Sequence, residues 1–317
     1  MSGSVTVPFS TLTSELACEV LAKAGLRFTP EQMQLESRED AWVIRLPENR
    51  LAWFAASPEG QKRLAVEHRV LRLLQARCSF LAPRILIQDM GDDFDVRAMV
   101  PGVCNPARMF VQLRRRTRLA EQTGAALGAI LADQHANVHA SDVAGWLPLQ
   151  PGWPKPAEWI RERLVRVTAD PQLIAGADAV LSRYEGLLIP EEDRALVHTD
   201  LGLHNIAVDP ATLTVCGLFD YECAAWADGH HDFRYFVFDY GRYELLDAAI
   251  AVYEATLNRR IDRRRVFLYN AACALTYLAD RAGTGPEDRP CGRTLVEDVQ
   301  WSKQAIATAL DVALGDL

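Results

Sequence analysis

The sequence predicts an α+β protein of two lobes, a small antiparallel sheet with flanking helices over residues 1 to about 101 and a larger, mainly helical lobe over 102–317. Three observations carry that expectation. Short apolar runs alternate with polar turns between 31 and 101. Helical spacing dominates after Pro101-Gly102. One β-rich island, 195–220, interrupts the helices.

The elements follow in order. "STLTSELACEVLAKA" at 10–24 runs into Gly25 and reads as a helix with a glycine stop. "QMQLES", "AWVIRL" and "RLAWFAA" read as a strand meander over 31–56. Residues 59–77 place Leu64, Leu71 and Leu74 on one helical face, and Glu67 falls in the same spacing. "RILIQDMGDDFDVRAMVPG" gives two strands around a Gly-Asp-Asp turn. A strong helix covers 118–140, a Pro/Gly/Trp-rich connection 143–156, two helices 157–187, and helices most of 232–314.

The chain has 317 residues, 49% hydrophobic and 24% charged, with a net charge of −8. These are globular values that leave no room for long disorder. An acidic balance argues against a dedicated nucleic-acid binder. No apolar run approaches the ~20 residues of a membrane helix. The N-terminus lacks the basic and apolar regions of a signal peptide, so a soluble cytoplasmic protein is expected. Seven scattered cysteines without a CxxC pair fit unpaired thiols. Oligomeric state is left open.

The chemistry concentrates in the island. Four of the seven histidines (198, 204, 230, 231) fall between 198 and 231, and residues 196–245 hold eight acids against two bases. Acids beside short apolar strands are costly unless a cation binds there. His198-Thr199-Asp200 closes the apolar run "ALV", and Asn205 follows five residues after Asp200. "IAV", a turn at Asp209-Pro210 and "TVCGLF" then lead into Asp220. The turn makes a hairpin, which brings Asn205 close to Asp220. An amide and a carboxylate oxygen suit magnesium, which keeps waters and nucleotide phosphates as its other ligands. Asp200 is then free to orient and deprotonate a hydroxyl.

"HTDLGLHN" followed by "LFDYE" resembles the catalytic loop and metal-binding segment of the aminoglycoside phosphotransferase family, whose fold is protein-kinase-like. "VRAMVPG" resembles its hinge strand, "LGAILADQHA" the helix before its acceptor insertion, and "GHHDFRYF" its Gly-Asp-Pro-x-x-Asp run. The resemblance implies Asp200 as catalytic base, His198 as a brace of the loop, and Asn205 and Asp220 as magnesium ligands. It also implies a nucleotide, ATP or GTP, under the hinge near Met99 and Val100, with the first lobe binding nucleotide and the second holding the acceptor. A small, cationic hydroxyl compound, aminoglycoside-like or an amino alcohol, is the expected acceptor. Glu67 fits the helix glutamate of this fold.

The departures are as informative. Thr199 stands where glycine is usual, and "LESRED" replaces a glycine-rich phosphate loop. "RLAWFAAS" lacks the strand lysine that pairs with the helix glutamate. Arg45, Arg50 and Lys62 are the candidate substitutes, and Arg45, on the neighbouring strand, is the preferred one. The missing lysine motivates a competing reading, a nucleotide-binding pseudokinase. The histidines motivate a third, a metal-dependent hydrolase. Glu222, Asp228, Asp239 and Asp280 are candidates for an acceptor pocket, and Asp232 for a hydrogen bond to the catalytic loop. The tryptophans at 146, 153 and 159 are expected to pack.

Overall fold

The computed structural model describes residues 12–38, 40–89, 91, 93–238, 243–285 and 293–311. Helix α1 (Ser14–Lys23) opens with Thr13 accepting from the Leu16 amide at 3.2 Å. Three strands follow, β1 (Gln34–Ser37), β2 (Ala41–Leu46) and β3 (Arg50–Ala55), as the meander predicts. Helix α2 (Pro58–Arg77) begins at Ser57, whose hydroxyl accepts from the Gly60 amide at 3.0 Å. Strands β4 (Arg84–Gln88) and β5 (Phe94–Ala98) complete an antiparallel sheet of order β1-β2-β3-β5-β4.

Strand alternation assigns the two faces of this sheet. Ile44, Leu46, Ala52, Phe54, Phe94 and Val96 are buried against Ala17, Val20 and Leu21 of α1. Phe54 and Phe94 stack with ring centroids 5.3 Å apart. Burying one side chain of this size contributes roughly 1.5–3 kcal/mol. The opposite face carries Arg45, Leu51 and Arg97 in one cross-strand row and Val43, Trp53 and Asp95 in the next. That face looks onto α2 and the interlobe cleft.

The remainder is mainly helical: α3 (Pro106–Arg115), α4 (Thr117–Asn137), the single turn α5 (Ala140–Val143), α6 (Ala157–Val167) and α7 (Pro171–Glu185). After the island come α8 (His230–Phe238), α9 (Tyr243–Leu257), α10 (Arg263–Asp280) and α11 (Leu295–Asp311). Leu127 and Leu131 of α4, Leu245 and Ala249 of α9, and Val266 and Leu275 of α10 share a second apolar core. The island holds two short ladders. Strand β6 (Arg194–Val197) pairs with β9 (Ala225–Asp228), and β7 (Ile206–Val208) pairs with β8 (Val215–Leu218). The second ladder is the expected hairpin, and Asp209 closes its turn by accepting the Ala211 and Thr212 amides at 3.0 and 2.7 Å. Strand β9 escapes sequence reading because "AWAD" has no alternation and few β-formers.

The hairpin also meets the first part of the chain. Val103 and Val208 exchange backbone hydrogen bonds of 2.9 Å, and the Leu218 amide donates to the Leu81 carbonyl at 3.1 Å. Both contacts need glycine. A Cβ on Gly217 would lie 2.1 Å from the Leu81 oxygen, and one on Gly102 2.6 Å from the Val208 oxygen. Among the described residues no helix is long and apolar enough to cross a membrane. The six described cysteines are free thiols; Cys291 and Asp239 lie outside the described residues.

Candidate active site

The loop after β6 is built around His198. Its amide and that of Thr199 donate to the buried Asp232 carboxylate at 3.0 and 2.9 Å. Its Nε2 donates to the Phe219 carbonyl at 2.9 Å, and its Nδ1 accepts the Asp200 amide at 3.3 Å. The ring packs on Tyr221 with centroids 4.4 Å apart. His198 therefore has both nitrogens engaged as a brace between the loop and the end of β8. Thr199 sits at φ +69°, a left-handed conformation that costs a non-glycine residue on the order of 1–2 kcal/mol. Its Oγ1 donates to the Cys223 carbonyl at 2.7 Å, and its own carbonyl accepts from Arg234, which holds the turn.

This turn leaves 37% of the Asp200 side chain exposed, beside His204 and Asn205 of the cleft lining. Tyr235 donates its hydroxyl to Oδ1, while Asn205 Nδ2 and His204 Nε2 each approach Oδ2 at 3.1 Å. Burial alone would raise this carboxyl, but the His204 and Tyr235 hydrogen bonds outweigh it and hold the group well below the usual carboxylate range. A depressed carboxylate stabilises the fold above its ordinary pKa, and that stability is lost as pH falls towards the depressed value. His204→Ala should therefore move the acid-unfolding midpoint, followed by tryptophan fluorescence, to higher pH. An unchanged midpoint would show that His204 does not hold the carboxylate down.

Asp220 follows β8 at φ +73° and lines the cleft with Asn205. Burial, then the charges of Glu67 and Asp200, push its carboxyl up to about 6. Burial and the Asp220 charge push neighbouring Glu222 up to about 7, with Arg63 3.7 Å away. A cation placed among carboxylates crowded in this way favours their ionised form. The donor chemistry fits magnesium. Asn205 uses Nδ2 on the Asp200 carbonyl (2.8 Å) and Oδ2, leaving its amide oxygen for a hard cation beside Asp220. No group of three His, Cys, Asp or Glu side chains suited to a metal occurs among the described residues.

Glu67 is buried and joins the two lobes. Its Oε1 accepts the Tyr221 amide at 3.1 Å, and its Oε2 pairs with Arg97 at 2.9 Å. The sequence reading expected the missing cation from Arg45, Arg50 or Lys62, and none of the three pairs with Glu67. Arg45 lines the cleft but bonds Glu36 at 3.3 Å. Arg50 pairs with Glu48 at 3.0 Å, and Lys62 pairs with Glu59 with 78% of its side chain exposed. The cation on Glu67 comes instead from β5. Its sequence signal is "FDVRA", where Asp95 and Arg97 alternate with Phe94 and Val96, so the charged pair shares one strand face.

The cleft encloses about 570 Å³. Met99, Val100 and Val103 form its hinge wall, Leu51 and Trp53 its roof, and Asn205 and Asp220 its floor. Of the candidate acceptor-pocket acids, Asp228 is consumed by His230, Arg265 and Tyr269, and Asp280 is exposed at the end of α10. Trp146 and Trp159 pack against the second core, whereas Trp153 stacks on Tyr277 at 4.7 Å, which in turn meets Trp301 at 5.7 Å.

Solved structures share this architecture at low identity. An aminoglycoside 2'-phosphotransferase-IIIa in complex with GDP superposes with a TM-score of 0.70 at 14% identity, over 93% of this chain and 98% of that one. The apoenzyme of a macrolide 2'-phosphotransferase from Brachybacterium faecium gives 0.63 at 20% identity, over 87% of this chain and 100% of that one. A spectinomycin phosphotransferase in complex with ADP and spectinomycin gives 0.62 at 11%, over 94% and 98%. These matches show the kinase-like fold. No curated protein sequence matches the chain. The family model of the phosphotransferase enzyme family matches residues 28–268, from the first strands through the loop after β6 to α10. With the resemblance of its two motifs borne out over most of its length, this chain belongs to the phosphotransferase enzyme family.

Proposed function

We propose that the chain is a small-molecule kinase that transfers the γ-phosphoryl group of ATP or GTP to a hydroxyl of a small, amine-bearing acceptor. One observation carries this reading: Asn205 and Asp220 lie at the floor of a cleft walled by Met99 and Val100, and Asp200 is hydrogen-bonded to Asn205 there at 3.1 Å. Similar solved structures, one an aminoglycoside phosphotransferase with GDP and one a spectinomycin phosphotransferase with ADP and spectinomycin, support it. The lobes are taken to join at Pro101-Gly102.

In this reading the base of the nucleotide stacks between Leu51 and the hinge wall, and its phosphates extend towards Asn205 and Asp220. Those two residues would hold magnesium, which when bound neutralises charge on the phosphates. Asp200 orients the acceptor hydroxyl and takes its proton as the oxygen attacks phosphorus. Its low basicity suits a proton that leaves late, when the hydroxyl has already become acidic by bonding to phosphorus. The acceptor enters beside Tyr235 and Tyr277, next to the Trp153 and Trp301 rings. Asp200, Asp220 and Glu222 favour amine-bearing acceptors, although Asp228 and Asp232, counted in the acidic excess of the sequence, serve the fold.

A screen of ATP and GTP consumption against amino alcohols, aminoglycosides and macrolides tests the reading, with Asp200→Asn as control. The expected result is acceptor-dependent, magnesium-dependent turnover that the control lacks. Nucleotide binding without turnover of any acceptor would favour a pseudokinase. Activity that needs tightly bound zinc or iron would favour a hydrolase.

A further inference from the structure

We propose that a pair of arginines, Arg97 on β5 and Arg38 in the β1–β2 loop, replaces both the strand lysine and the glycine-rich loop and clamps the nucleotide triphosphate over Trp53. This rests on the kinase reading above. The cleft face of β3 carries only Leu51 and Trp53, so no cation reaches the phosphates from that strand. Arg97 pairs across from Leu51, and its guanidinium lies 5.3 Å from the Trp53 ring centroid. Nε donates to Asp95 Oδ1 at 2.9 Å, Nη2 to Asp95 Oδ2, and Nη1 pairs with Glu67 at 2.9 Å. Three of five guanidinium donors are thus engaged among the described residues, and two remain for a ligand. Glu67 in turn holds the Tyr221 amide, one residue beyond Asp220. The fixed cation therefore stands beside the magnesium-binding floor.

Arg97 alone is outnumbered, because two carboxylates, Asp95 and Glu67, face it. Arg38 adds a second cation, which balances those two carboxylates and leaves Asp220 to the metal ion. Arg38 follows β1, in the loop where kinase-like folds cover the phosphates. Its guanidinium lies 5.4 Å from the same Trp53 centroid, and it lines the cleft together with Asp220. It is exposed, and its charge acts on the Asp220 and Glu222 carboxylates. A planar, permanently charged fork suits phosphate oxygens better than a lysine point charge. Arg45 stands in the same row as Arg97 and lines the cleft, but its guanidinium is paired with Glu36.

Calorimetric titration of the full chain with Mg·ATP, Mg·GTP, adenosine and guanosine separates the roles. Arg97→Met and Arg38→Ala should each weaken triphosphate binding roughly ten- to a hundredfold, the range for losing charged hydrogen bonds, and leave nucleoside binding within about twofold. Lys62→Ala should match wild type. Adding Trp53→Lys to Arg97→Met returns a cation to β3 and should recover most of the triphosphate affinity. If Arg97→Met does not fold, Arg97→Lys and the exposed Arg38→Ala carry the test, with a smaller loss expected for the lysine. Equal losses for nucleoside and triphosphate would overturn the clamp, because the arginines would then shape the base pocket. So would folded variants that bind triphosphate like wild type. Wild-type protein that binds neither ligand would sink the kinase reading itself, and the clamp with it.

Discussion

Asp200→Asn should lower kcat roughly a hundred- to ten-thousandfold, the usual contribution of a positioned general base, while leaving the fold intact. The substitution keeps size and shape. The new amide can keep its oxygen towards Asn205 and His204, which donate to Oδ2 in the native protein, and turn its nitrogen towards the Tyr235 hydroxyl, which can accept. The loop geometry set by His198, Thr199 and Asp232 is untouched. Only the capacity to take a proton is lost. Saturating kinetics and a thermal melt check both halves. A variant with near-normal kcat would show that the acceptor loses its proton to another group or to water.

Asp220→Asn should do two opposite things: abolish magnesium-dependent transfer and make the metal-free protein more stable. Asp220 sits among Glu67, Asp200 and Glu222, and its carboxyl is pushed up to about 6. A raised carboxyl costs stability as pH climbs from its ordinary value through the raised one. At neutral pH the neutral amide avoids that cost, about 1–2 kcal/mol after allowance for solvent screening. Asparagine also tolerates the left-handed backbone at φ +73° better than most residues. The urea midpoint should rise above pH 6 and show little change below pH 4, where the carboxyl is protonated in both states. A variant no more stable at neutral pH would mean that the carboxylates do not oppose one another.

Much of this site can be read locally. Asp200, Asn205 and Asp220 fall within one loop and one tight hairpin, so spacing alone brings their oxygens together. Glu67 follows from helical periodicity. The cation opposite Glu67 does not. Which arginine reaches it depends on how β3 and β5 register, and on contacts between Glu67 and Tyr221, 154 residues apart. Tyr235 is equally hidden, because α8 delivers it to Asp200 only through packing. The local acidic charge misleads in part: Asp228 and Asp232 anchor histidine, arginine and backbone amides rather than a ligand.

Residues 79–81 belong to the sheet lobe by position and to the helical lobe by bonding. The Ser79 and Phe80 amides donate to Asp133 at 2.6 and 3.2 Å, and Leu81 is seated on Gly217. The sheet is therefore tethered to the β7–β8 hairpin at two places, through Leu81 on β8 and Val103 on β7. A door hung on two hinges swings about one line and cannot twist. If the cleft closes, the expected motion is a rotation about the Leu81–Val103 line, and the Glu67–Tyr221 hydrogen bond must bend or break with it. In such a rotation strands β4 and β5, next to the tethers, would travel least and β1, at the far edge, furthest. Arg97 is the doorpost in such a motion and Arg38 the latch.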